Sequence, residues 1–136
     1  MKGQVTPYLT FNGNAREAID FYANTFQAEI QGIQTFGEAD FPTPPEAAEK
    51  IMHARFGKGD FVIMVSDSFL GQRVESGNQI SLALTLETEQ EIQSIYDTLR
   101  QDGTVLMELQ DTFWNSKFAK VQDRFGVIWD LDYPKA

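Results

Sequence analysis

The chain has 136 residues, 42% of them hydrophobic, with eleven Phe and no Cys; that suits one domain with a real apolar core and excludes disulfides, thiolate nucleophiles and cysteine-ligated metal centres. A formal charge of −9 disfavours nucleic-acid partners, because an acidic surface repels phosphates. No apolar run nears the roughly 20 residues that cross a bilayer, and MKGQVTPYLTF has no signal-like apolar core, so a cytoplasmic protein without a membrane partner is expected.

Val5 to Phe11 (VTPYLTF) reads as a strand closed by the Asn12-Gly13 turn signal. Asn14 then stands as an N-cap with Glu17 at the N3 position, and Ala18, Ile19, Phe21, Tyr22 and Phe26 recur at helical spacing through NAREAIDFYANTF. EIQGIQTFG is a second strand. EADFPTPPEAAEK is a loop, because Pro42, Pro44 and Pro45 cannot sit in an inner strand. IMHARF and DFVIMVS form a hairpin across Gly57-Lys58-Gly59. A polar loop, DSFLGQRVESGNQ, follows, with Asp67 as a turn-forming residue at the strand end. The order then begins again. ISLALTL is a strand, TEQEIQSIYDTLRQDG a helix with Gly103 as its left-handed C-cap, and VLMELQ, FAKVQ and VIWDLDY three more strands.

The chain therefore repeats β-α-β-β-β. Glu17 aligns with Glu91 and Tyr22 with Tyr96, an offset of 74 (91 − 17 and 96 − 22). PYLTF falls on SLALT, and DFVIMVSD falls on GVIWDLDY with a gap of about one residue. Each unit alone leaves a sheet face unburied. Two together predict one α+β domain over residues 1–136, with modules at about 1–68 and 79–134. The expected form is a curved, mostly antiparallel sheet around a cleft, with the helices outside.

PYLTFNGNAREAIDFY resembles the opening of the PhnB-like (demethylubiquinone methyltransferase-like) proteins. LQDTFWNSKFAKVQDRFGVIWDL resembles their C-terminal signature, an aromatic FW pair followed by D-x-F-G-V-x-W, although Asn115 stands where glycine is expected after FW. The resemblance covers nearly the whole chain. It implies membership of the vicinal oxygen chelate superfamily, alongside glyoxalase I, extradiol dioxygenases, fosfomycin-resistance enzymes and bleomycin-binding proteins, with paired βαβββ modules and a homodimer. Enzymes of that superfamily hold a divalent metal through His, Gln or Glu on the first and last strand of each module. Carried over by position, those places are Pro7, Met64, Ser81 and Asp130. Proline has no donor atom there, methionine is too soft for Mg, Mn or Zn, and serine is a weak neutral ligand, so no metal is expected. For the methyltransferase name, no glycine-rich strand-to-helix turn appears; the nearest stretch, GKGD, joins two strands, and no organic cofactor is expected either.

Individual residues allow both a bland and a functional reading. His53, the only histidine, shares a strand face with Arg55 and is either a sheet-face residue or a proton carrier inside the cleft. Asp130 shares its face with Ile128 and Asp132, opposite Val127, Trp129 and Leu131. If Trp129 packs against a helix, Asp130 enters the cleft as a lone carboxylate able to act as a general base; otherwise it is solvated or paired with an arginine. Phe113 and Trp114 are adjacent, so one belongs to a core and the other floors a pocket or covers an interface. One histidine and no G-x-S-x-G elbow give no support to a Ser-His-Asp hydrolase, and the carboxylates are too scattered to name a glycosidase pair.

The preferred expectation is a metal-free small-molecule binding protein. Its cleft candidates are His53, Met64, Ser81, Trp114 and Asp130, and an acidic cleft suits a cationic or aromatic ligand. One alternative is an enzyme, metal-independent or metal-assisted, with Asp130 or His53 in acid–base roles. The other is a structural or regulatory homodimer with its cavity filled by Phe11, Phe113 and Trp114.

Overall fold

The computed structural model describes residues 1–40, 42–69 and 72–135; the parts of the two expected loops at Phe41 and at Leu70-Gly71 lie outside the described residues. The chain divides into two compact units, one from Met1 to Val74 and one from Glu75 onward. The first contains β1 (Tyr8–Phe11), α1 (Ala15–Phe26), β2 (Glu29–Thr35), β3 (Ile51–Lys58) and β4 (Phe61–Asp67), with short 3-10 turns at Phe36–Glu38 and Pro45–Ala47. Its sheet runs β1-β4-β3-β2, with β1 parallel to β4 and the other pairs antiparallel. The second contains β5 (Leu82–Thr85), α2 (Glu89–Leu99), β6 (Thr104–Asp111), β7 (Ser116–Gln122) and β8 (Ile128–Pro134). Its sheet runs β5-β8-β7-β6, with β5 parallel to β8. The architecture is α+β, two tandem βαβββ units. No helix among the described residues is long and apolar enough to cross a membrane.

The repeat offset is not constant. It is 74 for β1 and β5 (82 − 8) and for the two helices (89 − 15), but 67 for β4 and β8 (128 − 61). The cause is the proline-bearing segment between β2 and β3, residues 36–50, whose counterpart between β6 and β7 is only residues 112–115.

Each helix lays one apolar stripe on its own sheet. In the first unit Ala18, Ile19 and Tyr22 are buried with Phe56, Ile63 and Val65, and the Tyr22 ring stacks against Phe56 and Phe26 at 5.7 and 6.1 Å. In the second, Ile92, Tyr96 and Leu99 are buried with Ala119, Val121, Trp129 and Leu131. Burying each large apolar side chain contributes about 1.5–3 kcal/mol.

Two expected helix caps are corrected. The Asn14 side chain makes no capping bond. The buried Asp67 carboxylate reaches across from the end of β4 instead: its Oδ1 accepts Ala15 N–H at 2.9 Å and its Oδ2 accepts Ile51 N–H at 2.9 Å. Asp67 thus ties the start of α1 to the start of β3, a larger role than turn forming. At the end of α2, Asp102 takes the left-handed conformation at φ 59°, not Gly103. Gly103 is required for space, since a Cβ there would meet the Gln122 carbonyl oxygen at 2.4 Å.

The D-R-F-G-V-I-W stretch is a turn built around a carboxylate. Asp123, 3% exposed, accepts Phe125 N–H at 2.8 Å and Val127 N–H at 3.1 Å on Oδ1, and the Trp129 indole N–H at 2.8 Å on Oδ2. Gly126 completes the turn at φ 92°, a conformation that costs a glycine little. With its indole held on the helix-covered side, Trp129 sends Asp130 and Asp132 through the strand alternation as a pair: Asp130 on the opposite face, and Asp132 two residues on beside it.

Candidate ligand-binding site

The face of the second sheet away from α2 is organised by register. Ala83 and Lys120 flank Asp130 on the neighbouring strands, and Thr85 and Phe118 flank Asp132. Ser81 lies just ahead of β5 and donates its hydroxyl to Asp130 Oδ2 at 2.5 Å. The Lys120 ammonium lies 3.0 Å from Asp130 Oδ1, an ion-pair contact without the alignment of a hydrogen bond. Asp130 is therefore neither a lone nor an arginine-paired carboxylate. The antiparallel register of β7 on β8 sets a lysine directly opposite it.

Asp132 differs. Its Oδ1 is shut off from the surface and has no hydrogen-bond partner among the described residues. A shielded polar oxygen without a partner costs about 1–3 kcal/mol. Beside it stands an aromatic group: Phe118 is its cross-strand neighbour, and Trp114 meets Phe118 at 6.0 Å and 69°. Trp114 in turn meets Phe113 edge-on at 4.9 Å. Phe113 is 97% exposed and Trp114 51%, so neither fills an interior as the structural-dimer alternative required, although Phe11 is buried. Asn115 takes φ 62° at the position where glycine was expected, a left-handed conformation asparagine tolerates.

In the first unit the face away from α1 carries Tyr8, Met64, His53 and Arg55. Tyr8 and Arg55 are the register partners of Met64. The Tyr8 hydroxyl and His53 Nδ1 are 2.8 Å apart, with the rings 5.5 Å between centres. The structure thus gathers His53 and Met64 around Tyr8 in one unit, and Ser81 and Asp130 around Lys120 in the other, with Trp114 farther along the second face.

Three contributors escaped the sequence reading. Tyr8 rather than Pro7 pairs with Met64; Pro7 gives only its carbonyl, which accepts Met64 N–H at 3.0 Å. Lys120 follows only from the hairpin register. Asp132 was placed on the right face by alternation, but its unmet oxygen is a matter of packing.

A divalent metal does not fit these donors. Methionine, serine and the proline carbonyl's neighbourhood offer no hard anionic ligand, and the carboxylate of Asp130 is already engaged by Lys120 and Ser81. Among the described residues no three His, Asp or Glu side chains converge as a metal group.

The arrangement of two βαβββ units recurs in solved structures of low sequence identity. The fosfomycin resistance protein FosX of Listeria monocytogenes shares it at a TM-score of 0.67 and 11% identity, over 98% of this chain and 93% of its own, a likeness of fold alone. The family model described as 3-demethylubiquinone-9 3-methyltransferase matches residues 3–132, and the chain belongs to this PhnB-like family. Protein YjdN of Escherichia coli K12 is 33% identical over 143 residues, covering 96% of this chain and 95% of YjdN. The crystal structure of PA1353 from Pseudomonas aeruginosa matches at a TM-score of 0.87 and 35% identity, over 98% of each chain. A PhnB protein from Bacillus cereus matches at 0.81 and 33%, over 96% of this chain and 98% of its own.

The family description names a methyl transfer, but the strand-to-helix turns do not suit S-adenosylmethionine. The β1–α1 turn is Asn12-Gly13-Asn14 and the β5–α2 turn is Leu86-Glu87-Thr88. In the latter the free amides are already taken: Glu91 Oε1 accepts Glu87 N–H and Thr88 Oγ1 accepts Glu91 N–H. The Gly57-Lys58-Gly59-Asp60 stretch joins β3 to β4, as expected. No glycine-rich cradle stands at a helix start.

Proposed function

We propose that this protein binds, without a metal, a small molecule that carries a cationic nitrogen beside an aromatic or apolar body. The observation that carries the reading is the shielded, partnerless Oδ1 of Asp132 next to Phe118 and Trp114. Asp130 is neutralised by Lys120, so Asp132 holds the uncompensated charge of that face. An ammonium group at the part-exposed Asp132 carboxylate offsets that charge, and aromatic faces favour a cation or a planar ring. The overall charge of −9 steers cations toward the protein.

A second reading, a metal-independent enzyme, is favoured by the Ser81–Asp130 contact, in which a carboxylate sits within reach of a hydroxyl proton. It requires turnover that disappears in Asp130→Asn while the fold survives.

The binding reading is tested by thermal shift on chelator-treated protein with benzylammonium as probe. Saturable stabilisation is expected, about 2.7 kcal/mol at a hundred times the dissociation constant, and Asp132→Asn should remove it. Stabilisation that needs an added divalent metal, or that survives in Asp132→Asn, overturns the reading.

A further inference from the structure

The first unit contains a cavity of about 650 Å³ that none of the sheet-face residues lines. It opens where the parallel strands β1 and β4 both end, at Asn12 and Ser68, a place where strand ends and a following helix leave room for ligands in α/β sheets. One wall is apolar: Phe36 and Phe69 meet edge-to-face at 5.9 Å and 76°, with Pro44 and Ala47 beside them. The other carries two cations, Lys50 and Arg73.

Like the other lysines and arginines of the first unit, neither forms an ion pair among the described residues. Every lysine and arginine of the second unit has an acidic partner: Arg100, Lys117, Lys120, Arg124 and Lys135. Lys50 and Arg73 have none among the described residues; the Lys50 ammonium donates only to the Gly13 carbonyl, at 2.9 Å. Arg16, whose charge acts on Glu38, lines an adjoining cavity together with Lys50. Of the acids at the cavity, Asp67 has both oxygens occupied by backbone N–H groups, which leaves Glu46 as the only acidic lining side chain with no hydrogen bond or ion pair among the described residues. Two cations without an ion pair beside one apolar-walled cavity offer charged donors to an anion.

We propose that this cavity is a second ligand site, independent of the Asp132 face, and that it takes a small aromatic carboxylate. The ring lies against Phe36 and Phe69, and the carboxylate meets the Arg73 guanidinium and the Lys50 ammonium. Arg73 suits the role because its planar fork matches a carboxylate in a bidentate pair.

The test is a titration of the isotope-labelled full chain with benzoate, followed by amide nuclear magnetic resonance shifts. Saturable shifts are expected at Asn12, Lys50, Ser68, Phe69 and Arg73. Arg73→Gln, at an exposed position with no hydrogen bond or ion pair among the described residues, should weaken binding about tenfold or more, as loss of a charge-assisted pair does. Phe69→Ala should weaken it too, and acetate, which has the charge without the ring, should bind far less tightly. Absence of saturable shifts at these amides, equal binding by Arg73→Gln, or acetate as effective as benzoate overturns the proposal. Asp132→Asn should bind benzoate unchanged, so failure here and failure of the cation site read out separately.

Discussion

Replacing Asp123 by alanine removes the acceptor for three donors at once: two turn amides and the indole N–H of Trp129, a side chain only 1% exposed. The indole loses a hydrogen bond to a charged acceptor in a site water cannot enter, about 1.5–3 kcal/mol. The amides of Phe125 and Val127 are part-buried and regain some water, so they add about 0.5–1.5 kcal/mol each. The sum is about 2.5–6 kcal/mol, a large share of the 5–15 kcal/mol that holds a domain of this size together. Equilibrium urea unfolding measures it, with Asp123→Asn, which keeps one acceptor oxygen, falling between wild type and alanine. A double-mutant cycle with Trp129→Phe isolates the indole bond and should show a coupling of about 1 kcal/mol or more. Destabilisation of Asp123→Ala below about 1 kcal/mol, or strict additivity with Trp129→Phe, would refute the claim that this carboxylate organises the strand entry.

Other consequences are equally open to measurement. Asp67→Ala strands the buried amides of Ala15 and Ile51 and should cost about 2–5 kcal/mol by chemical unfolding, whereas Asn14→Ala should cost little, since Asn14 makes no cap bond. Gly126→Ala combines a φ of 92° with a Cβ placed 2.0 Å from Ser76 Oγ; it should lower the melting temperature, and Ser76→Gly should restore part of the loss by removing the clash while leaving the backbone cost. The Asp111 carboxyl is held below the usual carboxylate range by its hydrogen bond to Lys135 and by that lysine's charge. A carboxylate depressed in the folded state adds stability above the ordinary carboxylate range and loses it as pH falls through its folded value. Asp111→Asn should therefore be slightly less stable than wild type at neutral pH, and the gap in urea midpoints should close on acidification.

Much of the fold was legible because apolar spacing survives in both units: Tyr22 and Tyr96 sit buried at matching helix positions, and alternation along VIWDLDY put Trp129 inside and Asp130 and Asp132 on the other face. What escaped depends on distance in sequence. Asn14 carries every mark of an N-cap, yet Asp67, more than fifty residues away, takes the amide instead. Gly103 follows its helix as a left-handed cap would, but close approach to Gln122 is the reason it is glycine. The Lys120–Asp130 pair follows from the β7–β8 register and the isolation of the Asp132 oxygen from packing, and neither can be read from the strands singly. Tyr8, one residue past the carried-over Pro7, is the register partner of Met64, and a step of one residue on a strand exchanges faces.

The account turns on whether the Asp132 face takes a cationic ligand in the absence of metal. The most direct measurement is an amide and indole resonance titration of chelator-treated protein with benzylammonium, run on wild type and on Asp132→Asn. The account predicts saturable shifts at Asp132, Phe118 and the Trp114 indole in wild type, and none that saturate in the variant. Shifts that appear only after a divalent cation is added, or that are the same in Asp132→Asn, would contradict it.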